Sequence, residues 1–204
     1  MSLATYNTKR DFKKTSEPSG NENNQEDDKL IFVIQRHKAS HLHYDFRLEM
    51  DGVLKSWAVP KGLSLNPHDK RLAMMVEDHP YDYKDFAGVI PDGNYGAGIV
   101  EIWDSGTYTS LENQGNAKED EKLLKAGLYS GNLKFILHGE KVQGEFALVR
   151  LKDDDSKSWL LIKHRDSFAT DEPYNSEDET SENSPINKWL AENKPEKKPS
   201  KKKL

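Results

Sequence analysis

The stretch LHYDFRLEM at residues 42–50 decides the fold. Apolar and polar side chains alternate through it with the period of a strand, not the 3.6 of a helix. Alternation sends Leu42, Tyr44, Phe46, Leu48 and Met50 to one face and His43, Asp45, Arg47 and Glu49 to the other. Asp51-Gly52 follows at once and VLKSWAV at 53–59 resumes the pattern, so the two segments are expected to form a tight hairpin. Working outward, the same reading gives strands at 31–35, 71–77, 99–104, 133–137, 143–151 and 158–163, bounded by Gly, Pro, Asn or Asp. Only 118–127, with Leu123 and Leu124, suggests a helical turn or two. The expectation is an all-β fold, a small closed or nearly closed barrel of about eight strands, because closure leaves no unpaired edge. A sandwich is the alternative.

Composition has to be divided before it is used. The 204 residues are 34% hydrophobic and 32% charged, with a mean hydropathy of -0.90, too polar on average for a compact globule. Yet residues 30–166 hold 57 apolar residues in 137, whereas the two flanks hold 13 in 67. The expected organisation is therefore a domain over 30–166, an N-terminal segment with polar linker over 1–29, and an acidic then Lys-rich low-complexity tail over 167–204. That tail reads as a solvated end, with weak steering toward nucleic acid as the alternative. Without cysteine there are no disulfides, thiolate metal sites or cysteine nucleophiles, so any metal must sit on His, Asp or Glu. No apolar run approaches a bilayer span and the N-terminus lacks a signal-peptide core, which implies a soluble, cytoplasmic chain with no membrane partner. The net charge of -5 is spread over all three segments, which argues against a protein that coats duplex DNA and leaves room for local contact.

The polar face of 42–50 has an ordinary reading as solvent-facing polarity. Against it stands the order of types: imidazole, carboxylate and guanidinium, each about 6.5–7 Å from the next along one face. His43 and Asp45 at i and i+2 can converge on one ion, Arg47 can hold an anion beside it, and His37 can supply a third ligand by folding back from just past the first strand. Two His and one carboxylate suit Mn, Fe, Co or Zn better than Ca or Mg. A second group, Lys61, Arg71, Glu77, His79 and Tyr83, adds cations, an imidazole and a phenol, and five of the seven histidines fall between 37 and 79. Such a set around a metal describes phosphoryl chemistry; singly, Lys61, Arg71 and Tyr83 read as surface or strand-edge residues.

QRHKASHLHYDFRLEMDGVLKSWAVPKG at 35–62, MVEDHPYDYKDFAGVIPDGNYGAG at 75–98 and the leading KRDF with TSEP at 9–18 closely resemble the 3′-phosphoesterase domain of the bacterial DNA ligase D family. The resemblance runs from about Tyr6 to about Arg165. It implies a small β-barrel, manganese-dependent (with Co2+ or Zn2+ as substitutes), that removes 3′-terminal ribonucleotides and 3′-phosphates from DNA ends and leaves a 3′-hydroxyl for end joining. The metal ligands it implies are His37, His43 and Asp45. Phosphate-contacting and catalytic roles fall on Arg47, His79 and Tyr83, with Lys61, Arg71, Gln35 and Glu77 in support. Independently of the resemblance, the residue types make His79 the expected proton donor to the leaving 3′ oxygen. Arg10, Asp11 and Glu17 match the family's N-terminal motif, so part of the N-terminal segment is expected to fold over the site. The partners implied are DNA 3′ ends (primer-template) and separate ligase and polymerase chains of end joining, acting with a monomer near the nucleoid; 204 residues leave no room for ligase and polymerase domains. His41 stands where many relatives have Arg, which makes one cation at the rim titratable.

Neighbouring patterns need separating from this one. EMDG at 49–52 is not the ligase motif K-x-D-G, since Glu49 occupies the place of the nucleophilic lysine, and GNYGAG at 93–98 is a turn rather than G-x-G-x-x-G. Two rivals differ in class. One is a 2-His-1-carboxylate Fe(II) oxygenase built on His43 and Asp45, with a distal His such as His138 and Arg150 or Arg165 for a cosubstrate. The other is a non-catalytic DNA-end binding module; a purely structural barrel is the bland remainder.

Overall fold

The computed structural model describes residues 3–20, 29–112, 115–152 and 157–193. Its strands are β1 (Leu30–Lys38), β2 (Leu42–Met50), β3 (Val53–Val59), β4 (Arg71–Met75), β5 (His79–Pro80), β6 (Gly88–Ile90), β7 (Gly98–Ser110), β8 (Asn132–His138), β9 (Gln143–Arg150) and β10 (Ser158–Lys163). Eight of them form an antiparallel ring in the order β1-β2-β3-β4-β10-β9-β8-β7, and β7 pairs back onto β1 to close it. The short β5 and β6 are additions, on β3 and β7 respectively. The fold is thus an all-β closed barrel, and closure satisfies the edge hydrogen bonds that an open sheet would expose.

The β2–β3 hairpin forms as its turn chemistry dictates. Asp51 and Gly52 both have positive φ, 53° and 69°, the pairing that a two-residue turn needs to match strand twist. Phe46, Trp57, Phe135, Phe146 and Trp159 fill the barrel interior, with Phe135 and Phe146 stacked at 6.2 Å between centroids. In β7 the register with β1 slips by one between Ile34 and Gln35. Such a bulge lets Trp103 and Tyr108, an odd number of residues apart, both reach the interior.

The outer face of β1–β3 is covered as well. A short helix α1 (Leu3–Thr8) and a 3-10 turn at Tyr81–Asp85 bring Tyr6, Tyr83 and Phe86 against Val33, Leu54, Ile90 and Val100. Strand β2 is consequently buried on both faces from Tyr44 to Met50. The polar face expected from alternation exists, but it faces a cover and not water.

Three expectations are revised. The weak helical segment is a full helix α2 (Ala117–Ser130): Asn116 caps its N-terminus by accepting from the Lys118 and Glu119 amides, and Leu124 anchors it. The linker expected from Lys13 packs as far as Gly20, with Glu17 buried and the Tyr6 hydroxyl donating to Pro18 O at 2.7 Å; residues 21–28 lie outside the described residues. The tail expected to be low-complexity from 167 is packed to Asn193, ending in α3 (Pro185–Glu192), while the Lys-rich 194–204 lie outside the described residues.

The cause of that last difference is Arg36. Its side chain sits at the end of the barrel interior with no exposure, paired to Glu101 at 2.9 Å and to Glu177 at 2.6 Å, and donating to Asn187 and Ser184 of the C-terminal segment. Glu177 also accepts from the Tyr44 hydroxyl, and Ser176 Oγ donates to Leu63 O at 2.7 Å. A buried guanidinium needs these partners more than the segment needs apolar residues. Among the described residues no helix is long and apolar enough to cross a membrane.

Arg36→Ala should lower unfolding stability by about 3–5 kcal/mol, the cost of leaving buried Glu101 without its partner. Urea unfolding measures the loss, and hydrogen exchange should show α3 released ahead of the barrel strands. Unchanged protection in α3 would count against the clamp.

Candidate active site

The site lies on the outer face of β1 and β2. His37 is on β1 itself, directly opposite His43 in the β1–β2 register, and Gln35 is opposite Asp45. The third donor therefore arrives by cross-strand pairing, and no fold-back of the chain is needed. Donor atoms of His37, His43 and Asp45 all lie within 4.8 Å of one another. His37 Nδ1 is 3.5 Å from Asp45 Oδ2, and His43 Nε2 is 3.6 Å from Asp45 Oδ1.

Each imidazole is held by its far nitrogen. His37 Nε2 donates to Gly96 O at 2.9 Å, and His43 Nδ1 donates to His41 O at 3.0 Å. Those bonds fix the tautomers that leave His37 Nδ1 and His43 Nε2 as lone-pair donors aimed at the gap beside Asp45. This is the outer arrangement that orients metal-binding histidines. Ligands about 2.0–2.2 Å from one ion would stand about 3–4 Å apart, so the set fits a divalent cation with small movements.

The electrostatics agree. Burial alone would raise the Asp45 carboxyl, but Arg47 and the two imidazoles outweigh it and hold it well below the usual carboxylate range. Burial would lower His43; its contact with Asp45 prevails and raises it. The pocket thus favours positive charge at this point, which a proton or a cation can provide.

Arg47 is fixed through all its nitrogens. Nη2 donates to Asp45 at 3.2 Å, Nη1 to Ser56 Oγ at 2.9 Å and Nε to Gln35 Oε1 at 2.7 Å. Gln35 is itself oriented by donating to Tyr83 O and Phe86 O. Gln35, expected among substrate-binding residues, is fully buried behind Arg47 and sets its direction.

The N-terminal segment closes over His79 and Tyr83. Arg10 Nη2 donates to His79 Nε2 at 3.2 Å, Nη1 to Glu77 at 3.2 Å and Nε to Glu17 at 2.9 Å. Tyr83 donates to the same Glu17 oxygen at 2.9 Å, and its ring lies 4.8 Å from the Arg47 guanidinium carbon. His79 Nδ1 donates to Glu77 O at 2.9 Å, so Nε2 carries the lone pair that Arg10 meets. Burial, reinforced by Arg47 and Arg10, pushes the imidazole well below its ordinary range. A neutral His79 whose single N–H is spent on the backbone is an acceptor at Nε2; it is not arranged as the initial proton donor expected from the residue types. Burial likewise pushes the Tyr83 phenol well above its usual value, so it stays a donor.

Not every expected residue gathers here. Asp11 is exposed and bonds within its own turn, to the Lys13 amide and Lys14. Lys61 is exposed in the turn after β3. Arg71 points to Asp69 and to Tyr174 O, away from the donor set. Glu77 is present, but its carboxylate is occupied by Lys9 and Arg10. Sequence reasoning missed Ser56, Lys9 and the carbonyls of Gly96 and His41, because backbone acceptors and cross-strand neighbours leave no motif. The oxygenase alternative loses its support: His138 is exposed at the end of β8, Arg150 bonds Tyr129 O and Arg165 pairs with Asp171, while His37 completes the donor set.

A closed barrel thus carries a His-His-carboxylate donor set beside the buried guanidiniums of Arg47 and Arg10. The chain belongs to the DNA Ligase D 3′-phosphoesterase domain family, whose sequence model matches residues 35–150. It is 49% identical over 169 residues, 82% of this chain, to the multifunctional non-homologous end joining protein LigD of Pseudomonas aeruginosa, of which it covers 19%. It is 44% identical over 164 residues to the protein of that name from Mycolicibacterium smegmatis, covering 80% of this chain and 21% of that protein. Against the LigD non-homologous end joining DNA repair protein of Mycobacterium tuberculosis it is 44% identical over 158 residues, 78% of this chain and 19% of the relative. The chain thus spans about a fifth of the length of these curated relatives.

The cover over the site depends on Glu77. Burial would raise its carboxyl, but a backbone bond together with Lys9 and Arg10 holds it below the usual range. Its contribution is complete above the ordinary glutamate range and is lost as pH falls through the depressed value. Glu77→Gln should therefore speed tryptic cleavage after Lys9 and Arg10 by roughly five- to thirtyfold at neutral pH, the factor for about 1–2 kcal/mol of charge-assisted bonding. Acidification of the parent protein below about pH 4 should loosen the same segment, as read by hydrogen exchange. An unchanged cleavage rate would sink this account of the cover.

Proposed function

We propose that the protein is a metal-dependent DNA 3′-end-processing phosphoesterase that removes 3′-terminal ribonucleotides and 3′-phosphates, leaving a 3′-hydroxyl for end joining. The observation that carries the reading is the convergence of His37, His43 and Asp45 beside Arg47, His79 and Tyr83, in a chain of the ligase D phosphoesterase family. His37, His43 and Asp45 would hold the ion. Two imidazoles and one carboxylate favour Mn2+, with Co2+ and Zn2+ as close substitutes, over Ca2+ or Mg2+. When bound, the ion would supply Lewis-acid polarisation of a phosphoryl oxygen.

The protein's own groups do the rest. Arg47, locked by Gln35, Ser56 and Asp45, meets developing charge without having to reorganise. Arg10 reaches the same space from the cover, and Tyr83, held protonated, turns its O–H from Glu17 to a phosphate oxygen when substrate enters. His79 Nε2, kept neutral, exchanges its Arg10 contact for the attacking water, accepts its proton and returns that proton to the leaving oxygen, while Glu77 O on Nδ1–H steadies the imidazolium between the two transfers. For a terminal ribonucleotide, a diester step comes first and leaves the 3′-phosphate for the monoester step. The partners are DNA 3′ ends and, in end joining, separate ligase and polymerase chains, with this protein acting as a monomer in the nucleoid. A DNA-end binding module without chemistry would not need the neutral, oriented His79.

His43→Ala and Asp45→Ala should each abolish Mn2+ binding and lower phosphate release from a labelled 3′-phosphate primer at least a hundredfold. His79→Ala should keep the metal and lose activity to a similar degree. Isothermal titration with Mn2+ and a gel assay on a primer ending in one ribonucleotide read the two properties separately. Full activity in either ligand variant would overturn the assignment, and loss of metal in the His79 variant would make that residue a ligand.

A further inference from the structure

At the end of β1, one residue past His37, the surface opens into a cleft of about 440 Å³ lined by Lys38, Ser40, Val89, Ile99 and Trp189. Trp57, Trp103 and Trp159 are at most 3% exposed, whereas Trp189 is 39% exposed and Val89 is 61% exposed. Lys38 Nζ stands 5.6 Å from the centre of the Trp189 ring. A flat indole, an aliphatic wall and one cation are the parts from which sequence-tolerant nucleobase stacking sites are made.

Three further observations tie this cleft to the donor set. The segment from Gly96 to Gly98 forms part of both, since Gly96 O holds His37, while at Gly98 (φ 148°) a β-carbon would stand 2.2 Å from Lys38 O. His43 is the most exposed of the three donors, with 21% of its side chain accessible against 8% for His37 and 11% for Asp45, and Ala39 and Ser40 of its own turn line the cleft. Trp189 itself is held firmly: α3 is tied down by Arg36 through Ser184 and Asn187, by the Ile186 amide on Glu101 Oε2, and by buried Ile186.

Building on the phosphoesterase reading, we propose that this cleft is a nucleotide subsite: a base of the DNA strand that carries the 3′ end stacks on Trp189, with its flanking phosphate on Lys38, the cation of a lining whose acid is Asp92. Trp189 lies outside residues 35–150, the stretch that the family model matches. It is a binding residue for the DNA strand and touches no reacting atom.

Titrating the protein with a 3′-phosphate primer-template in EDTA should quench tryptophan fluorescence, because Trp189 is the exposed indole, and Trp189→Phe should remove the quench. Trp189→Ala should raise KM for that primer by about tenfold and leave kcat and the hydrolysis of p-nitrophenyl phosphate at their parent values. Absence of quenching, or an unchanged KM in a folded Trp189→Ala protein, overturns the subsite even if the enzyme is fully active. Quenching that depends on Trp189 in a protein releasing no phosphate would keep the subsite and overturn the phosphoesterase reading.

Discussion

Everything around the site follows from placing a row of ionisable groups where water is excluded. Asp45, Arg47 and Glu49 on β2, with Gln35 and His37 opposite on β1, lie on the outside of a barrel but beneath a cover. A charge in such a place must be paired and hydrogen-bonded or the chain will not bury it. The pairing is satisfied in layers. Asp45 answers Arg47, Gln35 and Ser56 answer the rest of the guanidinium, and the carbonyls of Tyr83 and Phe86 answer Gln35. Fixing Arg47 thereby also fixes the 3-10 turn that carries Tyr83.

The same requirement acts on the other face at the barrel's end. Arg36 belongs by alternation to the interior side, where no water can reach it, and its partners come from Glu101 and from a C-terminal stretch with few apolar residues. That stretch is ordered by a charge it neutralises, an organising force that hydrophobicity averages do not register. Two guanidiniums on adjacent strands and three register positions apart, Arg36 and Arg47, thus gather the two flanks of the chain, one at the rim and one over the site through Tyr83 and Glu17.

Much of this was legible in the residues. The period of two in 42–50 gave both faces of β2, and the turn at Asp51-Gly52 gave the hairpin. The donor set on His37, His43 and Asp45 could be written down because two ligands at i and i+2 share a face. What escaped depended on distance in sequence. That His37 belongs to the strand rather than to its end became clear only with the β1–β2 register. Helix α2 was faint because its apolar stripe is thin and its definition comes from Asn116 and from the left-handed Gly131 at φ 81°. Lys61, Arg71 and Asp11 could not be sorted from Arg10 and Glu17 by type, since all five are polar residues in loops or at strand starts, and only the path of the chain decides which reach the site. Gln35 and Glu77 lie near the donor set, but their partners show them facing other protein groups.

The position of the donors within one hairpin has a bearing on how the molecule assembles. His37, His43 and Asp45 fall within nine residues and meet across a turn of three, Ala39–His41, a short-range closure that costs little chain entropy. Barrel closure between β1 and β7 joins residues some seventy positions apart, and the cover comes from the far N-terminus. By contact order the hairpin precedes both. Under the proposed metal assignment a divalent ion would staple the most local of these closures, so that its binding would add to the stability of the hairpin as well as to the chemistry of the finished site.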